Sequence, residues 1–422
     1  MNNCDYELLN TQQRAEFHSV NLSERASILP ALALAIYAAL IPFDNVLWIT
    51  KGWGTITKYL GILLALIIFT DRIIIGKGRI KQPPQATIWW LTFTLIATLS
   101  LLWSVDQEAT IKGLMTLVGL IAVLLMVVIQ PWDDWQIGLT GKGILIGGIT
   151  ISLFTIYLRA KGIFYPASER ASLVINQRLI DPNHLGTSLI LPLSIALNSI
   201  LEGKKKVIFT TCAFIIMVLA ISLTGSRGAI ISAAAAAVFL YWGKRRSMRA
   251  VLLLILISAI IIMLVPRYIP PEVEERYSLK NILASQGAGR FPLWETAIIA
   301  FGKRPLTGWG YDSFSKLTSG KLAYLHGQVT HNIYLQVLSE IGVVGIFSLI
   351  MGLFASFRYA YRQSDRNPFY RAIVASLIGV VISSVSLGTL NYKYFWLTVM
   401  LALTTTYATT DVVKVAARIP IQ

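Results

Sequence analysis

Residues 110–129 read TIKGLMTLVGLIAVLLMVVI, and after Lys112 the stretch carries no charge. Wound as an α-helix at about 1.5 Å per residue, a segment of this length covers about 30 Å, the hydrocarbon thickness of a bilayer. Only helices and closed barrels satisfy their backbone in lipid. A run this long and uniformly apolar does not fit the alternating strands of a barrel. The stretch therefore reads as a transmembrane helix.

Similar runs recur on both sides of it. The sequence predicts helices near 28–43, 56–75, 86–103, 110–129, 143–158, 183–201, 207–223, 229–242, 250–266, 331–357, 372–388 and 394–410. Composition agrees: 55% of the 422 residues are apolar and only 14% are charged, where a soluble domain carries about a quarter. The mean hydropathy of +0.64 needs lipid to absorb it. The expected fold is an all-α polytopic membrane protein of about twelve spans. Its parts are a tail at 1–27, nine helices over 28–266, a large loop at 267–330, three helices over 331–410 and a tail at 411–422. The acidic N-terminal tail, with Asp5, Glu7, Glu16 and Glu24, does not read as a cleavable signal. Cys4 and Cys212 fall at different depths, so neither a disulfide nor a metal pair is expected.

Orientation follows from lysine and arginine in the short loops. One alternate set carries Lys77, Arg79 and Lys81, then Lys204–Lys206, then Lys244–Arg246 with Arg249. It continues with Arg358, Arg362, Arg366 and Arg371 and ends with Lys414 and Arg418. This set is read as cytoplasmic, with 130–142 a weak member, and both termini follow it. The long loops 159–182 and 267–330 are basic yet fall outside, as long loops can. Either they form a solvated exterior or their cations meet an anionic ligand. Within the larger loop, Glu272–Ala284 reads as a polar helix. Phe291–Phe301 reads as an amphipathic one whose Leu293, Trp294, Ala297, Ile298 and Phe301 face suits a membrane interface.

Three positions could carry chemistry. Arg227, in Thr224-Gly-Ser-Arg-Gly228, lies between two apolar runs. It would cost roughly 2.5–3.5 kcal/mol at a helix centre, so it stays at the surface, either snorkelling or holding a ligand beside flanking glycines. Arg290 follows the Gly287-Ala-Gly289 break, where its planar fork suits a phosphate or a lipid headgroup. His331, with Asn332, opens a helix that Thr330 is expected to cap. The positive helix end and nearby arginines disfavour imidazolium, leaving a neutral base or a structural histidine. His326 and His184 are weaker candidates. Arginines and helix N-termini can neutralise a diphosphate without a metal, and no metal motif is visible.

The stretches RLIDPNHLG (178–186), LTGSRG (223–228), GRFPLW (289–294), RPLTGWGYDSF (304–314), HNIYLQVLSEIGVVG (331–345) and KYFW (393–396) resemble the O-antigen ligase and polymerase family. These are bacterial membrane glycosyltransferases that use polyprenyl-diphosphate donors. The resemblance implies an inner-membrane enzyme with a periplasmic site and no metal, nucleotide or other cofactor. It would transfer a glycan, with inversion, from undecaprenyl diphosphate to an acceptor hydroxyl, which for the ligases lies on lipid A–core. It implies that Arg227 and Arg290 hold the diphosphate and that His331 is the general base, with Arg178 and Asn332 in support. Donor, acceptor and membrane lipids are the expected partners, and nucleic acid is not one. Some ligases carry an aspartate before the last helix where this chain has Asn391, which is left outside the site.

A polymerase would run the same chemistry onto another carrier-linked glycan. A secondary transporter would instead need ionisable groups at mid-membrane, for which Glu340 is the main candidate. Helical rise places it well inside the bilayer, as a coupling group or a buried structural carboxylate.

Overall fold

The computed structural model describes residues 27–49, 54–74, 82–166, 168–175, 178–203, 207–242, 273, 289–319 and 327–407. The expected helix at 250–266, most of the polar helix at 272–284, His326, most of the N-terminal tail, the C-terminal tail and several basic loops lie outside the described residues.

The described helices are α1 (Ile28–Leu40), α2 (Ile56–Phe69), α3 (Thr87–Leu99), α4 (Gln107–Ile129), α5 (Asp134–Ala160), α6 (Pro182–Ser188), α7 (Ile190–Leu201), α8 (Val207–Leu223) and α9 (Arg227–Trp242). They continue with α10 (Phe291–Lys303), α11 (Phe314–Thr318), α12 (Ile333–Gln363), α13 (Pro368–Ser383) and α14 (Lys393–Leu403). Among the described residues, four spans, Gln107–Ile129, Asp134–Ala160, Pro182–Leu201 and Ile333–Gln363, are long and apolar enough to cross a membrane, and shorter apolar helices accompany them. Leu32, Ile36, Leu63, Leu66, Leu95, Met115, Leu153 and Phe347 all point outward from the bundle. A surface this apolar belongs against lipid.

The core of the bundle is α7 and α14, whose residues are almost all buried. Around them, helices approach through glycine. A Cβ on Gly143 or Gly147 of α5 would lie 2.4 or 2.2 Å from the carbonyl oxygens of Ala35 and Ala39 on α1. Small residues four apart let two backbones touch where apolar lipid gives no hydrophobic drive to associate.

Several expectations need correcting. Helix α5 starts at Asp134, not near 143, because Asp133 and Gln136 form a capping box and the following glycines pack rather than turn. The last helix ends at Leu403. Beyond it, β4 (Thr406–Tyr407) pairs in parallel with β1 (Trp132–Asp133), a two-residue ladder in a mostly helical fold. A second small ladder joins β2 (Val174–Ile175) to β3 (Arg178–Leu179).

The largest departure is in α12. Gly342 has φ 73° and ψ −164°, and the helix breaks there. The loop after α10 fills the break. Trp309 and Gly310 donate their N–H groups to the carbonyls of Ser339 and Glu340 at 3.1 and 2.8 Å, and Val343 donates to Pro305 at 2.8 Å. The same loop is bonded to the turn between α3 and α4. Val105 donates to the Trp309 carbonyl at 3.0 Å and Trp103 Nε1 to that of Thr307 at 3.0 Å. The first turns of α12 are therefore level with an interhelical turn. They pack on α10 and α11 in a small separate core of Leu293, Ala297 and Phe314 flanked by Leu335. The face of α10 expected on the membrane interface is mostly spent on this packing, although Ile298 stays exposed.

Candidate functional site

His331 sits just ahead of α12, with φ 49°. Few residues other than glycine hold a positive φ, and histidine is among those that do so more often. The cap is one step later than expected. Asn332, not Thr330, is the N-cap, and its Oδ1 accepts from the N–H groups of Tyr334 and Leu335 at 2.9 and 3.0 Å. The Asn332 side chain is thus committed to fixing the helix start, which is a positioning role. Thr330 Oγ1 in turn bonds the Asn332 carbonyl at 3.1 Å.

Arg290 is the residue preceding α10. Trp294, one turn on, donates Nε1 to the Thr330 carbonyl at 3.1 Å, which ties the head of α10 beside His331. Burial pushes the His331 imidazole below its ordinary value, the Arg290 guanidinium pushes the same way and Asp181 opposes both. Desolvation, the largest cause, and Arg290 thus favour the neutral imidazole.

Two residues that sequence reasoning ranked low or missed complete this cluster. Asp181 caps α6, its Oδ1 accepting from Asn183 N at 2.8 Å and His184 N at 3.4 Å. His184 is buried, stacks on Tyr392 with ring centroids 3.6 Å apart, and shares a 2.8 Å hydrogen bond with Tyr394. It feels the charges of Asp181, His331 and Arg290. Burial, aided by Asp181, pushes the Tyr392 phenol up to about 12.

Arg227 joins this end of the bundle through the backbone. The Thr224–Gly228 turn is clamped to the head of α6 by Arg170, which donates to the Thr224 carbonyl at 2.6 Å and to Asn183 Oδ1 at 2.7 Å. A Cβ on Gly228 would lie 2.6 Å from Ser386 Oγ, and nearby Ser384 accepts the Ile333 N–H at 3.0 Å. Arg178 is engaged elsewhere, its guanidinium 4.3 Å from the Trp48 ring. The head of α12 and the turns before α6, α9 and α10 thus meet at one end.

Residues 212–350 match the family model described as O-antigen ligase. This segment belongs to the O-antigen ligase/polymerase family. The match spans Arg227, Arg290 and His331. Family members are glycosyltransferase-like enzymes of lipopolysaccharide and polysaccharide synthesis. No curated protein matches the chain.

Within the matched segment, Glu340 is bonded into the fold. It accepts the N–H groups of Asp312 and Phe314 at 2.8 and 3.1 Å and faces the Gln336 amide at 3.4 Å. The loop it bonds is in turn joined to the α3–α4 turn, where Val105 donates to the Trp309 carbonyl at 3.0 Å. Asp312 faces the Asn391 amide at 3.5 Å, and Tyr311 donates to Asn391 Oδ1 at 3.3 Å. Burial pushes the Asp312 carboxyl up to about 6, with Asn391 opposing and Asp106 adding to the rise.

Proposed function

We propose that the protein transfers a glycan from a polyprenyl diphosphate to an acceptor hydroxyl at the end of the bundle that carries His331. The observation behind this is the bond from Trp294 Nε1 to the Thr330 carbonyl at 3.1 Å, which sets the head of α10, and with it Arg290, beside the half-buried His331. The imidazole removes the proton of the acceptor hydroxyl. The oxygen attacks the anomeric carbon, the bond from that carbon to the diphosphate breaks, and the diphosphate leaves with the electron pair. Arg290 and Arg227 offset the charge that develops on it. A single displacement inverts the anomeric centre. In this reading the charge distribution sets both termini in the cytoplasm and this end outside, and the family resemblance makes the membrane the inner one and this end periplasmic.

An apolar groove of about 320 Å³ supports a lipid-linked donor. It begins at Tyr334, one turn from His331, and runs between α12 and α13 along Leu353, Phe357, Leu377 and Val381. A polyprenyl chain lying there would hold its diphosphate at the membrane surface beside the arginines.

Lipid A–core is the acceptor in this reading, which makes the enzyme a ligase. Deletion tests it. Loss of a ligase leaves the lipid core bare and lets long carrier-linked glycan accumulate. A strain that still adds single repeat units to the core would show a polymerase instead.

A further inference from the structure

At the opposite end of the bundle, the starts of α5, α8 and α13 and the end of α7 enclose a crevice of about 820 Å³. The histidine cluster has no part in it. Three properties define what it accepts. Its mouth carries Lys142 and Arg366, both exposed, while the neighbouring Asp134 carboxylate accepts the Asn367 amide at 2.8 Å. Its walls are apolar, with Leu145, Ile195 and Phe209 among them. Its inner lining includes Asn198, only 3% exposed, whose Nδ2 donates to the Pro368 carbonyl at 3.0 Å while Oδ1 is shielded and accepts no hydrogen bond. A buried amide oxygen without a donor is costly, so it marks a place where a ligand hydroxyl belongs.

An anion at the mouth, a hydroxyl for Asn198 and hydrocarbon along the walls describe one molecule. We propose that this crevice binds a single anionic glycerophospholipid with a hydroxylated headgroup, of which phosphatidylglycerol is the simplest. Its phosphate lies between Lys142 and Arg366, its headgroup hydroxyl donates to Asn198 Oδ1, and its acyl chains follow Phe209 and Leu145. Basic pockets between membrane helices recognise anionic headgroups in this way. Gly138 keeps the space open, since a Cβ there would meet no atom within 4 Å.

The test uses full-length protein purified in detergent. Native mass spectrometry reads bound lipid, and thermal shift compares phosphatidylglycerol, phosphatidylcholine and inorganic phosphate. One phosphatidylglycerol per chain should survive purification and raise Tm, while the other two additions leave Tm unchanged. Lys142→Ala with Arg366→Ala should weaken retention about tenfold or more. Gly138→Leu should lower retention by narrowing the crevice; leucine favours the helix there, so the lipid-free Tm should not fall. Equal retention of phosphatidylcholine, a shift with inorganic phosphate alone, or undiminished lipid in Gly138→Leu would overturn the proposal. This site stands whether or not the glycan-transfer reading holds.

Discussion

The two ends of the bundle solve opposite problems. The end carrying His331 is closed by hydrogen bonds between segments far apart in sequence. The 305–314 loop fills the break in α12, Arg170 joins two turns, and Lys393 pairs with Asp44 at 2.8 Å. The other end also has long-range bonds, such as the β1–β4 ladder and the Arg72–Gln130 bond at 2.7 Å, but they leave an open crevice. Closing an end around its side chains fixes them within the tolerance that catalysis needs. A lipid contact tolerates more movement and needs only charge and room. The comparison predicts that substitutions at the two ends will have different consequences.

The largest effect is expected at His331. His331→Ala should leave folded protein, since the helix cap belongs to Asn332, yet lower transfer by about 10²–10⁴-fold, the usual contribution of a general base. Lipid-core glycan ladders in a complemented deletion strain would show it, and normal ladders would remove the base from the account. Gly342→Val comes next. Its Cβ would fall 2.3 Å from the Leu306 carbonyl oxygen at a positive φ, so the loop must leave the break in α12. Backbone strain alone costs about 1–3 kcal/mol there. Tm and transfer should fall together, whereas the lipid occupancy of the far crevice should persist.

Asp312→Asn should have a smaller effect of known sign. The Asp312 carboxyl titrates higher in the fold than in the unfolded chain, so ionising it opposes folding as pH rises from about 4 to about 6. The variant should gain Tm at pH 8 relative to the parent and match it near pH 4. A gain of equal size at both pH values would trace the effect to shape and not to charge.

Much of this architecture could be read from the chain. Uniform apolar runs located most described helices, and α8 begins and ends where its run does, at 207–223. Local patterns failed where tertiary contacts decide. Gly342 lies at the head of an apolar run just after Ser339 and Glu340, and nothing nearby announces that residues 305–310 will bond the exposed carbonyls. The bonds from Glu340 to Asp312 and Phe314 in that loop were likewise not legible in the sequence. Asp133 and the α5 glycines looked like a loop because capping and close-packing residues are also turn formers. Of the site, Arg290 and His331 stood out as a cation and a titratable base at segment starts. His184 carried a weaker signal in Asp181-Pro-Asn-His. Its partners Tyr392 and Tyr394 lie some 210 residues away and could not be paired with it from spacing.

The central claim is that Arg290 and His331 act on one another at one site. The direct measurement is the pH dependence of kcat/KM for purified enzyme with a polyprenyl-diphosphate glycan and lipid A–core, in the parent and in Arg290→Gln. With Arg290 present, the acid limb should lie below the ordinary histidine value of about 6.5. Removing the guanidinium should move that limb to higher pH, as well as weakening donor binding. An acid limb at the same pH in both proteins would contradict the account.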